Sequence, residues 1–321
     1  MKRRHLLAAA WPLSLATTTW ALRGAQPRRI GFLIIGAPLA QRPRLVVDVL
    51  AALAQDGLAE GAALQVHVQY GQTPAELDAA TQALLARRVE LIVASLTPAA
   101  QAAQRATREL PIVMSGVGDP VANGLVRSLA APGGNITGTS AQATELTGKN
   151  LELLRDWLPG LRQVAVLAHA TDPWAAHFVG ALEQAAGRLG FTLMTQRAVG
   201  EADYPGLFTR WSQQGAQALV IQPSLPFAAA AALALHHRWP SCSPAQSWPA
   251  RGGLFAYSVD PQPLNRTTAS YVQRILQGEH PSRLPVQQPT RFKTWLNLRT
   301  ARELGLAVPA AIRLRADEVI E

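Results

Sequence analysis

The chain is 321 residues long with 48% hydrophobic and 16% charged residues, enough for about two compact domains at roughly 100 to 200 residues each. Low charge, eight Trp, and 24 Gly and 23 Pro scattered along the chain exclude disordered, collagen-like and coiled-coil classes, because such a chain buries enough apolar surface to order itself. A formal net charge of +9 suggests, at face value, a nucleic-acid or anionic-membrane partner.

The placement of that charge argues otherwise. Residues 1–25 hold Lys2, Arg3, Arg4 and Arg23 and no acid, so removing these four from the 30 basic residues leaves 26 against 21 acids, a net of +5. The segment has a basic start, an apolar stretch over 6–21 and small residues near its end, the layout of a secretory signal peptide. A membrane-spanning helix needs about 20 apolar residues; this run has 16 and contains Pro12, so an uncleaved anchor is the weaker alternative. Arg3-Arg4-His5-Leu6-Leu7 resembles a twin-arginine signal, which implies export in a folded state. Cleavage after Ala21 places Thr19 at the −3 position and cleavage after Ala25 places Arg23 there, and both sites stay open. The expected location is the periplasm. Cys242 is the sole thiol, which excludes an intrachain disulfide, a CxxC redox pair, a Cys-based zinc cluster and a lipidated cysteine near the signal. The remaining +5 forms no basic block of the kind that tracks phosphates, so no nucleic-acid partner is expected.

From residue 29 onward short apolar runs alternate with amphipathic stretches, the pattern of βαβ units around a parallel sheet. Strands are predicted at 29–35, 64–70, 90–94 and 112–115, with helices over 43–55, 74–87 and 98–108 between them. Thr73-Pro74-Ala75-Glu76 opens the second helix: Thr73 caps free N–H groups, Pro74 suits the first helical position and Glu76 reaches back. Thr97-Pro98 opens the third by the same logic. Pro132-Gly133-Gly134-Asn135 is a strong turn signal, after which the pattern restarts with helix 145–157, strand 164–167, helix 172–189, strand 191–196, helix 204–213, strand 218–221 and helix 227–238. Two consecutive α/β units with no low-complexity linker predict two lobes facing one another across a cleft.

Three sequence blocks carry a family resemblance. Pro111-Ile-Val-Met-Ser-Gly-Val-Gly-Asp-Pro-Val121, Gly124-Leu-Val-Arg-Ser-Leu129 and Pro132-Gly-Gly-Asn-Ile-Thr-Gly138 resemble the central signature of the uncharacterised ABC-transporter substrate-binding protein family. Arg274-Ile-Leu-Gln-Gly278, Leu284-Pro-Val-Gln-Gln-Pro-Thr290, Leu304-Gly-Leu306 and Arg315-Ala-Asp-Glu-Val-Ile320 are similar to its C-terminal pattern. The resemblance implies an α/β fold of two Rossmann-like, doubly wound lobes with a ligand cleft between them, as in type I periplasmic binding proteins, among them aromatic amino-acid binders. It further implies that the tail returns to both lobes: an N-terminal lobe at 28–138 completed by about 258–286, and a C-terminal lobe at 139–257 completed by about 287–321. The implied function is the solute receptor of an ABC uptake system, a monomer that binds a small ligand by hinge closure, uses no cofactor or metal, and presents its cargo to an inner-membrane permease with its ATPase.

Open parallel sheets bind ligands beyond the carboxyl ends of their strands, which nominates Gly36, Ser95, Thr97, Ser115 and Asp119 in the first lobe and His169, Thr171, Gln222, Tyr257 and Ser258 in the second. Ser95 and Thr97 precede a helix whose free N–H groups suit a ligand carboxylate, although Thr97 also reads as a plain helix cap. Asp119 can pair with an ammonium or stabilise the turn at Pro120. Tyr257 offers a flat face for stacking, or is a core or hinge residue. Asp172-Pro173 reads first as a helix cap and second as a ligand contact, and Trp174, one turn into that helix, reads first as a core or surface residue and second as one facing the cleft. Two departures from the family pattern fall in these loops and put ligand identity in question: His169-Ala170-Thr171-Asp172-Pro173 replaces an Asn-Pro-Asn-Asn-Pro type of sequence, and Ser241-Cys242-Ser243-Pro244 replaces an apolar strand ending in Tyr-Pro.

An enzyme is not expected. No GxSxG elbow, GxxxxGK[ST] loop or HExxH helix occurs, and adjacent His236 and His237 point about 100° apart on a helix and cannot share one metal. The alternatives are a sensor that passes its bound state to a membrane receptor and, more weakly, a secreted hydrolase.

Overall fold

Central strands that are covered on both faces are mostly apolar, and the runs at 30–34, 91–94 and 112–114 build the middle of the first sheet on this rule. The computed structural model describes residues 27–321 apart from 39 and 142, so the signal segment predicted at 1–25 lies outside the described residues. In chain order the first unit runs β1 (Arg28–Ile35), α1 (Arg44–Gln55), β2 (Leu64–Gly71), α2 (Pro74–Ala86), β3 (Leu91–Ser95), α3 (Leu96–Ala106), β4 (Ile112–Val117) and β5 (Ile136–Ser140). These five strands are all parallel, in the order β2-β1-β3-β4-β5. Alternate residues serve opposite faces: Leu33, Ile92, Ala94, Ile112 and Met114 pack with α2 and α3, while Ile30, Phe32, Leu91, Val93 and Val113 pack with α1.

The second unit runs α4 (Ala143–Trp157), β6 (Gln163–His169), α5 (Ala175–Leu189), β7 (Thr192–Ala198), α6 (Tyr204–Gln213), β8 (Ala218–Ile221), α7 (Ala228–His236), β9 (Ser241–Cys242), α8 (Ser247–Ala250) and β10 (Phe255–Val259). The tail follows as α9 (Pro261–Leu276), β11 (Phe292–Asn297), α10 (Leu298–Glu303), α11 (Ala310–Arg315) and β12 (Glu318–Ile320). The second sheet has the order β12-β11-β10-β9-β8-β6-β7, parallel except where β10 meets β11. One face packs on α4 and α5 through Val164, Val166, Phe178 and Leu182; the other packs on α6 and α7 through Leu167, Leu219, Phe208 and Ala234. The expected α/β architecture of two doubly wound lobes is therefore present. Cys242 is fully buried among apolar neighbours, which pushes its thiol pKa up and keeps it protonated.

The tail is shared between the sheets. Helix α9 covers the first sheet with Ala269, Tyr271, Val272, Ile275 and Leu276, whereas β11 and β12 extend the second. The chain thus crosses between sheets three times, after β5, after β10 and before β11. The crossings are hydrogen-bonded to each other: Ser140 N donates to Gln287 O at 2.9 Å, and Asp260 N donates to Arg291 O at 3.0 Å.

At the start of α2 Thr73 caps Glu76 N at 3.2 Å and Glu76 reaches back to accept Gln72 N at 2.8 Å, as expected. Other local expectations needed correction. Strand β5 follows the Pro132–Asn135 turn where no strand was expected, because Ile136-Thr-Gly-Thr-Ser140 has one apolar side chain and is buried by its neighbours. Gly138 in this strand has φ +137°, and a Cβ there would run into the Met114 carbonyl oxygen. Helix α3 begins at Leu96, ahead of the predicted Thr97-Pro98 start, and α5 begins at Ala175 instead of 172.

Asn150 fastens α4 to β10. Its side chain accepts from Tyr257 N (2.9 Å) and donates to Tyr257 O (2.7 Å) and Leu146 O (2.8 Å), filling the strand edge beyond the end of the two-residue β9. Asn150 is fully buried. Asn150→Ala leaves paired backbone groups without partners and is expected to cost about 3 kcal/mol in urea unfolding; a loss below about 1 kcal/mol would mean that the fastening is dispensable.

Candidate functional site

In a doubly wound sheet the chain leaves β1 toward one side and returns on the other, which opens a crevice at the carboxyl ends of the strands flanking the reversal. In the first sheet the reversal lies between β1 and β3. Ile35 N donates to Ser95 Oγ at 3.1 Å across it, and Gly36 N donates to Gly71 O at 2.9 Å. Ser95 and Ser115 are register partners at the ends of β3 and β4, 9% and 8% exposed. Leu96, at the start of α3, has φ +59° with its side chain against Gly116. A bulky residue in the left-handed region carries strain of about 1 kcal/mol or more, a feature that clusters at binding sites.

Thr97 does not cap its helix. It lies inside α3, and its Oγ1 accepts Gly118 N at 3.4 Å, tying the start of α3 to the loop after β4. Asp119 is half-buried and its Oδ1 accepts Val121 N (3.1 Å) and Ala122 N (3.0 Å), which is the turn-stabilising role; its second oxygen is left for other partners.

The second sheet reverses between β6 and β8, where a buried polar cluster joins the strand ends. Gln222, fully buried, accepts His169 N at 2.8 Å through Oε1 and donates from Nε2 to Asp172 Oδ2 at 2.7 Å. Ser224 donates to the same oxygen at 2.6 Å, and Asp172 Oδ1 accepts Trp174 N at 2.9 Å. Asp172 is therefore not the cap of α5, whose N-cap is Trp174, but holds the turn ahead of that helix and anchors the loop after β8. A carboxylate this buried is sustained by these hydrogen bonds in place of water. His169 is 2% exposed; its Nδ1 accepts Thr171 N at 3.2 Å, which places its remaining proton on Nε2. Burial pushes the imidazole pKa down, against a smaller upward pull from Asp172.

Tyr257 lies in the middle of β10 and Ser258 next to it, near the crossings. The Tyr257 ring stacks on Phe292 at 6.1 Å in a cluster with Leu146, Val259 and Leu264, a hinge-type setting, and Ser258 donates to Pro244 O at 2.9 Å. Neither is bonded to the His169–Gln222 group.

Contact between the two sets of strand ends comes through Trp174, for which a place facing the cleft was the second reading of the sequence, behind core or surface. Trp174 is 4% exposed, tilts against Phe178 at 5.4 Å, and lies against Gly118 of the first lobe: a Cβ on Gly118 would stand 2.7 Å from Trp174 Cδ1 and Nε1. The loop after β4 thus meets the loop after β6. A Trp following an Asp-Pro cap has no sequence signal that separates it from core; the glycine opposite it, 56 positions earlier, is the only trace.

A family model described as ABC transporter substrate binding protein matches residues 42–320. A tyrosine-binding protein of Clostridioides difficile (strain R20291) is 36% identical over 125 residues, covering 38% of this chain and 35% of that protein, so the match spans about a third of the relative's length. Among solved structures, a conserved domain protein from Vibrio cholerae O1 biovar El Tor is 25% identical with a TM-score of 0.82, covering 92% of this chain and 100% of that one. The ABC domain from Streptococcus pneumonia in complex with L-Trp is 23% identical with a TM-score of 0.81 at the same coverage, which is a likeness of fold.

The neutral His169 makes stability depend on pH. Its folded pKa lies below the unfolded value of about 6.5, so the unfolded chain takes up the proton more readily, and the contribution is complete above that value and lost as pH falls. The urea midpoint is expected to fall between pH 7.5 and 5.5 more steeply in the wild type than in His169→Gln. His67 and His237, also shifted down by burial, contribute equally to both proteins. Parallel slopes would show that His169 is not held neutral.

Proposed function

The chain belongs to the ABC transporter substrate binding protein family, and from that premise we propose that it is a periplasmic solute receptor for a small ligand of the amino-acid type. The ligand is held between the two lobes by hinge closure, and the closed form delivers it to an inner-membrane ABC permease and its ATPase. The observation that carries this reading is the pairing of two switch-point clusters, Ser95 and Thr97 with the start of α3 on one lobe and His169, Asp172 and Gln222 on the other, brought to one place by the Gly118–Trp174 contact.

The two sides differ in chemistry. Helix α3 turns the positive end of its dipole to this side, which suits a carboxylate. Asp119 and Asp172 supply negative charge for an ammonium, and His169 Nε2–H a neutral donor. Gly36, Ser115 and Thr171 border the same strand ends; Tyr257 and Ser258 act at the hinge. Three crossing segments joined by backbone hydrogen bonds suit a rotation of one lobe against the other. No helix among the described residues is long and apolar enough to cross a membrane. The relatives that bind tyrosine and L-Trp support an amino acid as cargo.

The test is a thermal-shift screen against the twenty L-amino acids, dipeptides, nucleobases and sugars, followed by calorimetry on each hit. An amino acid is expected to raise the midpoint with micromolar affinity, about 8 kcal/mol, and to be recovered unchanged. Asp119→Asn is expected to weaken that binding about tenfold if the ammonium sits there. Binding confined to sugars or nucleobases would overturn the ligand class, and turnover of the bound compound would replace the receptor with a hydrolase.

A further inference from the structure

Among the described residues, four buried side-chain nitrogen or oxygen atoms have no hydrogen-bond partner: Trp174 Nε1, Trp211 Nε1, Trp248 Nε1 and Ser243 Oγ. Trp211 and Trp248 belong to the apolar core on the α6 and α7 face of the second sheet. Trp174 differs in place. Its indole nitrogen lies at the junction of the lobes, against Gly118, whose own N–H is held by Thr97 at the start of α3. Buried indole N–H groups ordinarily find an acceptor, and one left unpaired is costly. Here the unpaired donor stands beside the helix end best suited to an anion.

We propose that Trp174 is a specificity-determining ligand contact: its indole N–H donates to a carboxylate oxygen of the solute, which is shared with the start of α3. The inference rests on the receptor reading above. Two details of the site follow from it. Gly118 lacks a side chain because any Cβ would displace the ring, so the glycine sets how closely the lobes approach. The ring, supported from behind by Phe178 and fixed at its backbone by Asp172, holds the N–H in position before the ligand arrives, which limits the entropy lost on binding. Solutes with a free carboxylate are therefore favoured over their amides and amines.

The experiment follows the ¹⁵N–¹H indole resonance of Trp174, identified by its loss in Trp174→Phe, while a mixture of the twenty L-amino acids is added and then resolved into its components. The bound amino acid is expected to move this resonance, to bind about tenfold more weakly to Trp174→Phe at an unchanged thermal midpoint, and to lose a similar factor when its carboxylate is converted to the amide. Gly118→Ala, which shifts the ring without removing the N–H, is expected to weaken binding as well. Binding that moves other resonances while Trp174 stays still, with Trp174→Phe within twofold of wild type, overturns the proposal and leaves the receptor reading intact. Absence of binding by every amino acid overturns both.

Discussion

The first sheet cannot be buried by its own segment of chain. One face is covered by α2 and α3, but the other, with Ile30, Phe32, Leu91 and Val93, needs α9 beside α1, and α9 comes from residues that follow β6 to β10 of the second sheet. Exposing such a face would cost about 25 cal/mol for each Å² of apolar surface left in water, so the chain must come back. From that return follow the three crossings, the shared tail and the pairing of Asp260 and Gln287 with their neighbours. Two lobes tied by three short crossing segments are the geometric result.

Within that frame the polar groups at the strand ends have little freedom. At each sheet reversal one side chain bonds the backbone of the neighbouring strand end, Ser95 to Ile35 and Gln222 to His169. Such bonds hold the loops in register. Asp172 is the most heavily engaged, with three donors, and it also sets the start of the segment that carries Trp174. The same residues that terminate strands thus fix the shape of the site, which is why sites on rigid elements are more accurately placed than sites on long loops.

Much of the architecture was legible because its cause is local. Runs such as Leu91–Ser95 are apolar on both faces and bounded by helix-forming stretches, and Pro74 after Thr73 marks a helix start whatever surrounds it. The failures have non-local causes. Strand β5 is polar by sequence and becomes a strand because Gly138 fits against Met114. Thr97 looks like a cap, yet Leu96 takes the left-handed turn and hands Thr97 to Gly118. The return of the tail to both sheets carries no periodic signal at all and was read from the family pattern. The strand-end rule named residues at the carboxyl ends of both sheets, and a cleft-facing Trp174 ranked only second in the sequence reading, because its place depends on a contact with the other lobe that no local pattern encodes.

The most direct measurement is a crystal structure of the protein with the amino acid selected by the ligand screen. Density is expected between the sheets, with ligand atoms within about 3 Å of groups from both strand-end clusters, the start of α3 on one side and the His169–Asp172 loop on the other. A ligand held by one lobe alone, for instance in the open concavity lined by Arg155, Asp156, Arg162 and Gly190 on the second lobe, would contradict it.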